Sequence, residues 1–152
     1  MNPQNNINIQ FGTPEHGWLP LKLSYKDFAL DLDISNVPVD PIQQLCDSLI
    51  EINKGIRKPT KVVWHLEPYC YYLQLQKVEN GYEAIISESD SLDSSSRDTI
   101  NISGTFEEVI VPFHKALKGF YSKRFEQSDW ETMDKRRIHE LTALMKSKKV
   151  LK

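Results

Sequence analysis

Apolar and polar positions alternate one by one through the first part of the chain. Ile7-Asn-Ile-Gln-Phe11 reads as a short strand, and the turn-rich Gly12-Thr-Pro-Glu-His-Gly17 follows it. Trp18-Leu-Pro-Leu-Lys-Leu-Ser-Tyr25 and Phe28-Ala-Leu-Asp-Leu-Asp-Ile34 give two more strands. In the last, Phe28, Leu30, Leu32 and Ile34 face one way and Asp31 and Asp33 the other, the pattern of a strand wet on one side. The period then changes. Asp40-Pro41 supplies an N-cap and first helical residue, and Ile42, Leu45, Cys46, Leu49 and Ile52 recur at helical spacing until Gly55.

Alternation returns at Lys61 and continues to Tyr82 as an antiparallel meander. A tight turn over Glu67-Pro68-Tyr69-Cys70 sets Leu66 opposite Tyr71, Trp64 opposite Leu73 and Val62 opposite Leu75. Asn80-Gly81 is a strong hairpin signal, because a type I′ turn needs positive φ at both central positions, and it sets Leu75 opposite Ile86 and Gln76 opposite Ile85. Both turns put Trp64, Leu66, Tyr71, Leu73 and Leu75 on one face. A slip of one residue would reverse that assignment. The other face holds His65 opposite Tyr72, with Glu67, Gln74, Gln76 and Glu83 around them.

Beyond the meander, Ser87–Asp98 is polar and acidic and reads as a loop. Thr99-Ile-Asn-Ile-Ser103 forms a further short strand, and Thr105-Phe-Glu-Glu108 has capping-box spacing. The helix after it carries Phe106, Val109, Ile110, Phe113, Leu117 and Phe120 on one face, and Pro112 bends it or shifts its start. A second box, Ser128-Asp-Trp-Glu131, opens a last helix bearing Trp130, Met133, Ile138, Leu141, Leu144 and Met145. The order β-β-β-α-β-β-β-α-α lacks the alternation that parallel sheets require. The expected fold is α+β: an antiparallel sheet of about six strands, helices packed on the tryptophan-bearing face, and the opposite face at least partly open.

Composition narrows the functional classes. The 152 residues, 39% of them hydrophobic, suffice for one domain with a real core, and no linker-like stretch divides residues 1–152. A net charge of −2 gives no global attraction to nucleic acid or anionic lipid, so neither is an expected partner. The locally basic Lys146–Lys152 reads as a solvated helix end. No signal-like N-terminus or membrane-length apolar run is present, which points to the cytoplasm. Cys46 and Cys70 form no disulfide framework and read as free thiols without a nucleophilic role.

Candidate chemistry is sparse. His16, His65, His114 and His139 make none of the spacings that zinc sites use. His16, His65 and Glu67 could meet if the Gly12–Gly17 loop folds over the meander, but a surface histidine beside a tyrosine needs no metal. Glu88, Asp90 and Asp93 lack the glycine and terminal glutamate of a calcium loop. Asp31 and Asp33 pair as carboxylates, although a solvated strand face accounts for them. No nucleophile elbow or phosphate cradle occurs, so the expectation is no catalytic residue, no metal and no cofactor. The aromatics point to recognition: Tyr69 and Tyr72 with His65, Glu67, Gln74 and Gln76 form a mixed patch suited to a protein partner.

The amphipathic helix, the hairpin at Glu67-Pro68, the second at Asn80-Gly81 and the segment Phe106-Glu-Glu-Val-Ile-Val-Pro-Phe-His-Lys-Ala-Leu-Lys-Gly-Phe120 together resemble a group of small bacterial α+β proteins. Some members of that group resemble immunity proteins of polymorphic-toxin systems. The likeness spans about Phe28 to Phe120; Glu15-His-Gly-Trp18 and the C-terminal helix fall outside it. It implies a cytosolic protein that binds and neutralises a cognate toxin without catalysis of its own. Two other readings stand beside it: a homo-oligomeric structural or scaffold protein that self-associates through an open sheet face or edge, and a small metal-dependent hydrolase.

Overall fold

The computed structural model describes residues 6–90, 95–131 and 135–150. Seven antiparallel strands form one sheet in sequence order: β1 (Asn8–Phe11), β2 (Trp18–Tyr25), β3 (Phe28–Ser35), β4 (Thr60–His65), β5 (Cys70–Val78), β6 (Gly81–Ser89) and β7 (Arg97–Gly104). Helix α1 (Pro41–Asn53) interrupts the meander between β3 and β4; α2 (Phe106–Val109), α3 (Val111–Tyr121) and α4 (Lys135–Val150) follow the sheet. The α+β expectation holds, with seven strands rather than about six.

The alternating pattern is expressed as two unlike faces. Leu19, Leu21, Leu23, Ile34, Val62, Trp64, Leu73, Leu75, Ala84 and Ile86 point to one side and are buried. On that side α1 packs against β4 and β5, α2 against β6 and β7, and α3 against β1, while α4 lies across α1 and α3. Asp40 starts α1 by accepting the N–H of Ile42 at 2.8 Å and of Gln43 at 3.4 Å. Thr105 and Glu108 form the capping box of α2, and the helix breaks at Ile110, two residues before Pro112. Phe120 of α3 meets Phe11, Phe125 and Trp130 at centroid separations of 6.2, 5.3 and 6.2 Å, which closes the core over β1.

Both hairpins of the central meander are offset by two residues from the expected register. Trp64 lies opposite Tyr71, Val62 opposite Leu73 and Thr60 opposite Leu75; across the next turn Leu75 lies opposite Ala84 and Gln76 opposite Glu83. The first corner is Glu67-Pro68, with Leu66 N–H donating to Tyr69 O at 3.0 Å and Glu67 at φ 57°, so the proline takes the second corner position. The second loop is Glu79-Asn80, neither residue having positive φ, and Gly81 is already in the strand opposite Val78. Gly81 is needed for another reason: a Cβ there would stand 2.5 Å from the carbonyl oxygen of Gly104 on β7. A shift of two leaves every side chain on its expected face, so the core assignment survives the wrong register.

The second expected capping box does not start a helix. At Glu126–Trp130 the N–H groups of Asp129 and Trp130 both donate to Glu126 O, at 2.9 and 3.2 Å. Asp129 instead ties down the β1–β2 connection, accepting Gly17 N–H on its main-chain oxygen at 2.7 Å and His16 N–H on Oδ1 at 3.0 Å. Trp130 is core, 1% exposed, and donates to the Asp40 carboxylate. Met133 lies outside the described residues. The expected acidic loop is shorter than Ser87–Asp98, because β6 runs on to Ser89 and β7 starts at Arg97, with Arg97 Nη2 3.2 Å from Glu88 Oε1. Asp93 also lies outside the described residues.

Candidate functional site

The far side of the sheet carries the residues that the sequence singles out. One row crosses it continuously, Trp18 opposite Ser35, Ser35 opposite His65, His65 opposite Cys70 and Cys70 opposite Ser89. At this row β2 and β5 begin and β3, β4 and β6 end. The connections 12–17, 36–40 and 66–69 therefore all emerge at one end of the sheet. Two of them are joined there by Asn36 N–H donating to Gly17 O at 3.2 Å, and the second is tied back to β3 by Val37 N–H donating to Ser35 Oγ at 3.1 Å.

Below this rim the far side is partly open, and the expected patch differs at Tyr72 and in the pairing of His65. His65 faces Cys70, and Val63 rather than His65 faces Tyr72. Tyr72 is only 9% exposed, and Cys70, Ser87 and Ser89 are buried with it. The Lys61 ammonium sits 4.4 Å from the Tyr72 ring centroid, closing that ring from the strand side. His65 is half-buried and its Nδ1 makes no hydrogen bond among the described residues. Gln74 is half-buried, and Gln76 Nε2 donates to Glu83 Oε1 across the hairpin. Of the six residues of the expected patch, Glu67 and Tyr69 are exposed, Tyr69 by 48%.

Sequence reasoning missed the other members of this rim. Among the described residues the large exposed hydrophobics are Trp18, Val37, Val39, Ile56 and Tyr69, and all except Ile56 belong to the connecting end of the sheet or its last row. Val37 and Val39 are 58% and 49% exposed, at odd positions in the proline-containing connection between β3 and α1. Their signal was available: two valines flanking Pro38 in a segment with no alternation to bury them. Trp18 reads as an ordinary strand residue until Leu19 is seen to take the core side.

Several titratable groups are engaged within the fold. His16 does not join His65 and Glu67; it is exposed beside Glu15 at 3.7 Å and Asp129 at 3.8 Å. The described residues contain no group of three or more histidine, cysteine or carboxylate side chains placed to hold a metal. His114 is buried with Nε2 3.2 Å from Thr142 Oγ1. Burial, with Asp47 adding to it, pushes the Cys46 thiol up to about 12, so it stays protonated and unreactive. Tyr121 is likewise held above its ordinary range, first by burial and then by Cys46 and Asp40. Asp31 and Asp33 are exposed on the far side of β3, as expected.

No protein-family model matches the chain, and no curated protein matches it. Among solved structures, that of the plant transcriptional regulator PBF-2 aligns over 96% of this chain and 81% of that one, at 11% identity and a TM-score of 0.43. A likeness that loose carries no argument about function.

Proposed function

We propose that this chain is a non-catalytic protein-binding protein that meets its partner with the connecting end of the sheet. The observation that carries the reading is the gathering of Trp18, Val37, Val39 and Tyr69, exposed and apolar, at the end where three connections emerge, with the Glu67 carboxylate beside them. Exposed apolar patches with a polar border are a signature of interaction surfaces, and Trp and Tyr supply large rigid contact area. The buried Tyr72 contributes to the hairpin's packing and is no longer a contact residue in this reading. The engagement of Cys46, His114 and Gln76 in internal contacts supports a role without catalysis. The resemblance to immunity proteins names the partner class: a cognate toxin, met in the cytoplasm. No helix among the described residues is long and apolar enough to cross a membrane.

The test is co-expression with the products of the flanking genes, followed by titration calorimetry of any complex. Replacing Trp18 and Tyr69 together by serine is expected to weaken association by roughly thirtyfold or more, the loss of one interface hot spot, with an unchanged circular dichroism spectrum. Undiminished affinity in the double variant would remove this surface from the proposal.

A further inference from the structure

β3 is third of seven in the sheet, yet it pairs with β4 at the single position Ser35–His65. The bonds that β3 makes to β2 set the direction of its main-chain groups. Asn36 N–H bonds Gly17 O on the β2 side, so the even positions of β3 face β2 and the odd ones face away. Ser35 meets His65 on that outward edge. Ala29, Asp31 and Asp33 present their N–H and C=O groups along the same edge and find no partner among the described residues. On the opposite bank, Val63 N–H of β4 is satisfied by Gln44 Oε1 of α1 at 2.9 Å. The β4 bank is thus bonded to α1 at Val63, and the β3 bank has no such bond among the described residues.

The side chains flanking the free edge are incomplete in the same sense. On the helix side Leu19, Leu21 and Leu23 of β2 are 0%, 0% and 2% exposed, whereas Phe28, Leu30 and Leu32 of β3 are only partly buried. On the far side Asp31 and Asp33 are exposed and make no ion pair among the described residues; Lys22 lies across from Asp31, and Pro20 from Asp33. The edge strand β7 has a shorter row: of its inner apolar positions Ile102 is buried and Ile100 is partly buried, against three partly buried positions on β3.

Within the protein-binding reading, on which this rests, we infer that the outer edge of β3 takes up an extended segment of a partner protein as an added strand. The segment alternates apolar side chains, which continue the Phe28–Leu30–Leu32 row, with lysine or arginine opposite Asp31 and Asp33. A second copy of this chain is the wrong occupant, since β3 against β3 sets aspartate beside aspartate. The free edge supplies affinity through the main chain, and the carboxylates select basic segments.

The probe is a synthetic peptide of alternating lysine and leucine, with alternating glutamate and leucine as control. Amide exchange followed by NMR is expected to slow at Ala29, Asp31 and Asp33 with the lysine peptide, and to stay unchanged at Leu30 and Leu32, which already bond β2. Asp31→Pro removes an outward N–H without touching the β2 ladder and is expected to abolish the protection. Should that variant fold poorly, Asp31→Lys with Asp33→Lys keeps the backbone intact; it is expected to weaken the lysine peptide roughly tenfold and to favour the glutamate peptide. Trp18→Ser with Tyr69→Ser is expected to leave peptide protection unaltered, so failure at the rim and failure at this edge are read separately. Unchanged exchange at the three amides, equal binding of both peptides, or protection that grows with protein concentration alone, the mark of self-pairing, would each overturn the inference.

Discussion

Asp40 shows how one residue is asked to do two things. Its carboxylate caps α1 and accepts from the Trp130 indole, yet burial outweighs these hydrogen bonds and holds its pKa above the ordinary carboxylate value. The folded state therefore binds this proton more readily than the unfolded chain. The stabilisation is complete below the ordinary carboxylate pKa and is lost as pH rises through the elevated one. Asp40→Asn is expected to flatten that part of the stability profile, and Asp40→Ala to cost about 1 kcal/mol in addition through loss of the cap. Thermal unfolding in buffers spanning the acidic range checks both. The cap itself was legible in Asp40-Pro41, since it depends on immediate neighbours; the burial was not, because Trp130 arrives from ninety residues further on.

At the scale of elements, the hairpins separate what turn chemistry specifies from what the sheet demands. Asn80-Gly81 is a valid type I′ signal, but the glycine is consumed by the approach of Gly104 and the loop moves back to Glu79-Asn80. Gly81→Ala is expected to destabilise the protein by about 1–3 kcal/mol, as overpacking does, because the neighbour in the way is backbone. Urea unfolding would measure the loss, and a neutral result would show that β6 and β7 can part at little cost. Elements with one dominant period, β1 to β3, α1 and the break before Pro112, were readable locally. The start of α4 was not: Ser128 and Glu131 have capping spacing, but Asp129 has been recruited to the His16-Gly17 connection.

For the whole molecule, the weak join between β3 and β4 means that the helical layer holds the β1–β3 unit to the β4–β7 meander. Phe120 is central to that layer, 2% exposed and ringed by Phe11, Tyr121, Phe125 and Trp130. Phe120→Ala is expected to cost about 3–5 kcal/mol. Hydrogen exchange should accelerate first in β1 and β2, with the meander amides protected longer; uniform acceleration would mean that the two parts unfold as one. Which side chains share the core face was decided by the sequence alone, because a period of two groups them and the even shift of register kept that grouping, and a period of 3.6 assigns the helix stripe. The register, the sealing of Tyr72 and the exposure of Trp18, Val37 and Val39 were decided only by tertiary structure. They depend on which distant backbone or side chain arrives to fill a space, and local alternation carries no record of that.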